Sequence, residues 1–255
     1  MKVTAIRTDK IVPQGKGLIE VLERSVTHFK EQSILAITSK IVALCSGSVV
    51  PLGSIKKEDL IQQEADYYLP ASQNRYGVTL TIKNNILIPS AGIDESNADG
   101  YYVLWPKDAQ QQANEVREYL CRRFSLKKAG VIITDSTTTP LRWGTKGIAI
   151  AHSGFQALND YIGQPDLFGR RLKMTKATIL DGLGAAAVLV MGEGDEQTPL
   201  AIIEEIPFCH FQTRNPTKGE LQELVIEPAD DLYAPLLQAV DWQKGKGNSV
   251  ETKRG

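Results

Sequence analysis

The chain reads as an α+β fold of mixed sheets with packed helices, on three observations. Short apolar runs rich in β-branched residues, such as Ile34–Thr38, Val131–Ile133 and Leu200–Ile203, have the length and composition of buried strands. Longer segments at Leu18–Lys30, Ala109–Phe124 and Met174–Met191 are rich in apolar residues or helix formers, as helices are. The two kinds of segment follow each other without the regular βαβ alternation of a wound parallel sheet.

Taken in order, Lys2–Ile6 alternates like a first strand and Asp9–Gly17 is a polar loop. Leu18, Ile19, Val21, Leu22, Val26 and Phe29 share a helical face, which predicts a helix reaching Lys30. Ile34–Thr38 is a buried strand ending in Ser39-Lys40, and Val49-Val50 belongs to another. Lys57–Tyr68 reads as a charged helix stopped by Pro70. Thr79–Lys83 and Ile86–Ile88 flank Asn84-Asn85 as a hairpin, and the second run delivers Asp94. Tyr101–Trp105 is a short strand and Ala109–Phe124 a helix with Ala113, Val116, Leu120 and Phe124 on one stripe. Gly130–Ile150 opens with a buried strand and breaks at Asp135-Ser136 into a hydroxyl-rich loop carrying Pro140 and Arg142. Ser153–Ile162 reads as a helix, Gly163–Arg171 as a polar turn and Met174–Met191 as a long apolar helix entering the acidic loop Gly192–Glu196. Leu200–Ile203 is a strand, Asp230–Trp242 a last helix, and Lys244–Gly255 a flexible tail.

Composition narrows the function. Lys+Arg number 29 against 30 Asp+Glu, so no net field recruits nucleic acid or an anionic membrane. No apolar run is long enough to span a bilayer, and MKVTAIRTDK has no signal-peptide core. The 3 cysteines, Cys45, Cys121 and Cys209, are odd in number and far apart, which favours the reducing cytoplasm over a disulfide framework. With only 3 histidines, a Cys/His zinc site is disfavoured, and a bound metal is expected to take oxygen ligands, as Mg²⁺ or Mn²⁺ does.

Neither a P-loop nor a G-x-G-x-x-G turn is present, and the G-x-S-x-G elbow of serine hydrolases is missing too. What remains is a set of acids, each delivered by an apolar segment into a loop: Asp94, Asp135 and Glu193, with the Ser136 hydroxyl beside Asp135. Hard divalent cations take carboxylate and hydroxyl oxygens converging from separate segments. A cation held there would neutralise charge in phosphoryl transfer. Each acid singly also suits a bland role, a strand-end Asp capping a turn or Glu193 closing a helix. Lys40, Arg142, Lys146, Arg170 and Arg171 lie near glycines or hydroxyls where an anion could approach, and a solvated surface is the better reading of Lys146 and Arg171.

Six segments together resemble one family: ILAITSKIV (Ile34–Val42), SAGIDESN (Ser90–Asn97), GVIITDS (Gly130–Ser136), GIAIAHSG (Gly147–Gly154), DYIGQPDLFGRRLKMT (Asp160–Thr175) and MGEGDE (Met191–Glu196). In order and spacing they are similar to the coenzyme F420-0:γ-glutamyl ligases. The resemblance implies that family's mixed α+β fold as an intertwined homodimer. It implies activation of a carboxylate acceptor by GTP, or ATP, with Mg²⁺ or Mn²⁺, through an acyl phosphate attacked by the amino group of L-glutamate. It implies a metal held by Asp94, Asp135, Ser136 and Glu193, nucleotide contacts from Ile11, Val12, Ser39, Lys40 and Asn97, and catalytic roles for Asp135 and Arg142. Domain boundaries follow: a catalytic domain over residues 1–205, of one or two subdomains, a strand/helix extension over 206–243, and the tail 244–255.

The chain departs from the family pattern at Lys10–Pro13, at Leu44 (where the family carries a phosphate-binding lysine), at Thr137–Arg142 and at Glu204-Glu205. These changes touch the phosphate and acceptor halves rather than the acids, so a folate-type acceptor stands beside the deazaflavin one. The competing classes are a non-catalytic nucleotide- and metal-binding protein on the same scaffold and a metal-dependent phosphohydrolase.

Overall fold

The structure, a computed structural model, describes residues 1–13 and 15–247. The elements in chain order are β1 (Lys2–Ile6), α1 (Leu18–Ser25), β2 (Ser33–Thr38), α2 (Ser39–Ser46), β3 (Val49–Pro51), α3 (Lys57–Glu64), β4 (Tyr67–Leu69), β5 (Leu80–Lys83), β6 (Ile86–Pro89) and β7 (Tyr101–Val103). They continue as α4 (Ala109–Phe124), β8 (Ala129–Thr138), β9 (Thr145–Ser153), β10 (Leu158–Asp160), β11 (Lys176–Thr178), α5 (Ile179–Met191), β12 (Leu200–Glu204), α6 (Lys218–Gln222), α7 (Ala234–Leu237) and β13 (Gln243–Lys244). This is a mixed α+β fold, as expected.

Its centre is a sheet of order β1-β12-β2-β8-β9, in which β2 and β8 run parallel and every other pair antiparallel. A strand covered on both faces reads as a near-continuous apolar run, and Ile34–Ile37 and Val131–Ile133 meet that demand. Leu35, Ile37, Val131 and Ile133 pack on one face with Leu22, Val42, Val116 and Leu120 of α1, α2 and α4. Ile34, Ala36 and Ile132 pack on the other with Leu180, Leu183, Ala187 and Val188 of α5. Helices therefore cover both faces, and α5 approaches β9 so closely that a Cβ on Gly147 would lie 2.4 Å from the Gly184 carbonyl. A second sheet, β13-β4-β5-β6, and the β3–β7 pair carry a satellite core of Leu60, Ile61, Ala91, Ile93, Tyr102 and Leu104. The hairpin expected at Asn84-Asn85 forms between β5 and β6, both asparagines taking positive φ (50° and 60°) as a tight primed turn requires.

Several elements differ from the sequence reading. The helix predicted to Lys30 ends at Ser25, because Val26 turns extended (φ −97°, ψ 91°); Val26 and Phe29 reach the same core from a loop. Ser39-Lys40, read as a strand end, instead begins a helix over Ser39–Ser46; it lies against the core, so its sequence lacks a polar stripe. Tyr67–Leu69 leaves the predicted Lys57–Tyr68 helix to pair with β5. Ser153–Ile162 is not helical; Leu158–Asp160 pairs with Lys176–Thr178. That pairing also delays α5 to Ile179, where the Thr178 side chain caps the Asp181 N–H. Of Asp230–Trp242 only Ala234–Leu237 is α-helical. Of the expected tail, Lys244 pairs with Tyr67, and Gly245, Lys246 and Gly247 donate to carbonyls of Asp66, Gln62 and Ala65; residues 248–255 lie outside the described residues. Among the described residues, no helix is long and apolar enough to cross a membrane.

His152, opposite Ile132 on β9, is 2 % exposed, edge-on to Phe155, with its Nδ1 unpartnered. Burial pushes its pKa down from 6.5 to about 4, against a small opposing pull from Glu220. Between those values the unfolded chain binds a proton that the native chain does not, so stability falls as pH drops from 6.5 toward 4. The expected loss from this group is about 3 kcal/mol, at 1.36 kcal/mol per pKa unit. Urea unfolding of the wild type and His152→Leu across that window checks it, with a shallower acid limb expected in the variant.

Candidate active site

The parallel pair β2 and β8 opens the cleft. At the end of β2 the chain passes from Thr38 directly into α2, so that helix starts in the cleft wall, with no side-chain cap on its first N–H groups. Uncapped N–H groups and the positive end of the helix dipole suit an anion. β8 continues past the same level and carries Asp135 and Ser136 there. One extra residue on β9, Ile150, makes a bulge opposite the Ile133–Thr134 step, a device that re-aims neighbouring side chains. The third wall is the loop after α5, Gly192–Glu196, where the Gly194 N–H donates to Glu196 Oε2 at 2.8 Å. The fourth is the turn after β6, where Ser90 and Ala91 both take φ 53° and bring Asp94 to the rim.

These walls enclose a cleft of about 840 Å³. Ile11, Val12, Ser39, Lys40, Asp94, Asn97, Asp135, Ser136 and Glu193 all line it, together with Arg7, Thr8, Asp9, Lys10 and Leu44. Convergence that spacing could not reveal is therefore present. Lys40 Nζ stands 2.6 Å from Asp94 Oδ2 and 3.0 Å from both the carbonyl and the hydroxyl oxygen of Ser96. Burial alone would raise Asp94, but Lys40 and the Ser96 donors outweigh it and hold the carboxyl below its ordinary value. Asp135 is the opposite case: burial pushes it up to about 6 despite donors from Trp105 and Ser136, with Asp94 adding to the rise and Lys40 opposing it. Glu193 Oε1 accepts from Ser136 Oγ at 2.8 Å and Thr145 Oγ1 at 3.3 Å, and Asn97 Nδ2 donates to the Gly194 carbonyl at 3.0 Å. Loop and rim are thus tied across the cleft.

Among the described residues, no three His, Cys, Asp or Glu side chains crowd into one metal-sized cluster. The predicted acids share the cleft without forming a closed cage. The donor set still fits a hard divalent cation: every ligand offered is an oxygen, and Asp135 is a poorly compensated carboxylate beside a second one. Arg142 does not join them. Its backbone N–H bonds Thr139 at the tip of the β8–β9 hairpin, between Leu141 and Trp143, which are fully and 89 % exposed respectively, and it is absent from the cleft wall. Its expected catalytic role finds no support within one copy of the chain.

A match to F420-0:gamma-glutamyl ligase spans residues 5–205. The chain belongs to that family. Its relatives include the coenzyme F420:L-glutamate ligase of Methanopyrus kandleri, 29% identical over 91% of this chain and 97% of the relative. That of Methanocaldococcus jannaschii is 39% identical over 63% and 64%, and that of Haloarcula marismortui 30% identical over 82% and 88%. As a member of the ligase family the chain is an enzyme.

The departures from the ligase pattern separate by position. Leu44 and Lys10–Val12 line the cleft. Thr137–Arg142 follows the β8–β9 hairpin away from it, and Glu204 is engaged by Lys30 at 3.0 Å and Lys2 at 3.9 Å at the far end of β12. Sequence reasoning missed three residues that touch the site's acids: Ser96 at Asp94, Thr145 at Glu193, and Trp105, whose indole N–H donates to Asp135 Oδ2. YYVLWP offers no polar neighbour that would have signalled the tryptophan.

Proposed function

We propose that the chain is a nucleoside-triphosphate- and divalent-cation-dependent γ-glutamyl ligase whose acceptor is coenzyme F420-0. The observation that carries this reading is a family member's cleft in which Asp94, Asp135, Ser136 and Glu193 meet Lys40 and the start of α2. The acceptor follows the printed function of the relatives. The departures at Leu44 and Lys10–Val12 keep a folate-type acceptor as the second arm of the test.

In the proposed reaction an acceptor carboxylate oxygen attacks the γ-phosphorus of GTP or ATP, and the nucleoside diphosphate leaves. The amino group of L-glutamate then attacks the acyl carbon of the resulting acyl phosphate, inorganic phosphate departs, and an amide forms. Lys40 and the N–H groups at Ser39 hold phosphate oxygens; Ile11, Val12 and Asn97 bound the nucleotide. Asp94 and Asp135, with Ser136 and Glu193, would hold Mg²⁺ or Mn²⁺, which when bound offsets charge on the phosphates. A homodimer is part of the proposal: Leu141, Trp143, Leu167, Phe168 and Met174 project from two arms, each 77 % or more exposed, and a second copy would cover them. Three unpaired cysteines suit the cytoplasm proposed as its location.

Nucleoside-diphosphate release tests the reading: it should require glutamate and acceptor together. Release without either indicates a hydrolase, and tight nucleotide binding without turnover a binding protein. Lys40→Met should raise the KM for nucleotide about tenfold, the loss of one charge-assisted bond, as steady-state kinetics would show.

A further inference from the structure

Trp105 is 3 % exposed, packed with Ile88 and Ile148, and not part of the cleft wall. A buried indole N–H needs an acceptor, and here it is a carboxylate oxygen of Asp135, a residue that does line the cleft. The donor therefore reaches Asp135 from the core side.

The surroundings are built around this contact. Gly92 has φ +70°, and a Cβ there would stand 2.1 Å from Trp105 Nε1, so a larger residue would displace the indole nitrogen itself. The turn carrying Gly92 is pinned by the Ala91 N–H, which donates to Thr81 Oγ1 at 2.9 Å. Thr81 in turn donates to the Ile88 carbonyl. Lys83 Nζ sits 5.5 Å from the centroid of the Trp105 ring, in cation–π range, and is held by Glu64 at 2.8 Å. Lys83 is itself 7 % exposed, an expensive place for an ammonium that needs both contacts. Leucine or phenylalanine would fill the space between Ile88 and Ile148; neither could donate to Asp135.

We propose that Trp105 is a positioning residue: its indole N–H, braced by Gly92 and the Lys83–Glu64 pair, fixes the Asp135 carboxylate in the orientation that presents it to a divalent cation. The inference rests on the reading of Asp135 as a cation ligand. With one oxygen fastened from the core, the carboxylate does not have to give up rotational freedom when the cation arrives. Partners that orient a ligand in this way change metal affinity by about 10–100-fold when removed.

The test is Mn²⁺ binding followed by electron paramagnetic resonance on wild type, Trp105→Phe and Asp135→Asn, each with its own thermal melt. Trp105→Phe, which keeps the ring and removes the donor, should weaken Mn²⁺ by about tenfold or more at temperatures where it is fully folded. A purely structural tryptophan would lower the melting temperature and leave the Mn²⁺ Kd unchanged. Should Trp105→Phe not fold, the wild-type indole ¹⁵N–¹H signal, assigned by elimination with Trp143→Phe and Trp242→Phe, gives an independent readout. It should shift during a Mg²⁺ titration with the midpoint of binding, and a stationary signal at saturation overturns the proposal. Mn²⁺ binding abolished by Asp135→Asn but untouched by Trp105→Phe overturns this inference alone. Failure of the wild type to bind Mn²⁺ overturns the ligand reading of Asp135 and this inference with it.

Discussion

Asp135→Asn is expected to abolish Mg²⁺- or Mn²⁺-dependent turnover, by on the order of a thousandfold or more, about 4 kcal/mol of barrier. The substitution is nearly isosteric, and the side chain keeps a carbonyl oxygen able to accept from the Trp105 indole. It removes a charge that burial already disfavours, since desolvation pushes this carboxyl up to about 6. Folding should therefore be spared, and the variant should melt at or slightly above the wild-type temperature. Loss of activity with an intact melt separates a ligand from a scaffold residue. Full activity in Asp135→Asn would remove the acid at the centre of the proposed site.

The largest expected effect on stability is at Gly154, just after β9. Its φ is +85°, and an added Cβ would lie 2.0 Å from the Ala129 carbonyl oxygen and 2.7 Å from Arg117 Cδ. Ala129 cannot retreat: it is fully buried, and β8 pairs it with Ser33 of β2. Arg117 is also held, its Nε donating to Asn215 Oδ1 at 2.7 Å, while the Gly154 carbonyl accepts from Gln212 at 2.8 Å. Gly154→Ala combines left-handed strain with a backbone overlap, so a loss of about 4 kcal/mol is expected. For a chain of this size that is a fall of about 10 °C in melting temperature by calorimetry. A loss under about 1 kcal/mol would show that the start of β8 can move, contrary to its place inside the sheet beside β2.

What the sequence made legible follows from where information is local. Asp94, Asp135 and Glu193 stand out because each ends an apolar run, and burying that run forces its end to the surface of the core. Their meeting in one cleft depends on β2 lying parallel to β8 and on α5 stopping at Gly192, which no spacing encodes. Arg142 is close to Asp135 in sequence but does not line the cleft of the same copy. β8 stays extended through Thr138, and at about 3.3 Å per residue the chain carries Arg142 well away. Helix α2 was missed for another reason: a helix packed into the core has no polar face to set its period. Trp105 was the least legible, since its role lies in a single N–H and in a partner thirty residues away.

The central claim, ligation through an acyl phosphate in this cleft, is tested most directly by mass spectrometry of the products formed from an ¹⁸O-carboxyl-labelled acceptor. The reaction contains L-glutamate, GTP or ATP, and Mg²⁺ or Mn²⁺, with coenzyme F420-0 and a folate-type acceptor run in parallel. The account predicts that the acceptor gains a glutamyl residue only when nucleotide and cation are both present, and that one labelled oxygen per amide appears in inorganic phosphate. Nucleotide consumption with no glutamyl product from either acceptor, or a product whose phosphate carries no label, would contradict it.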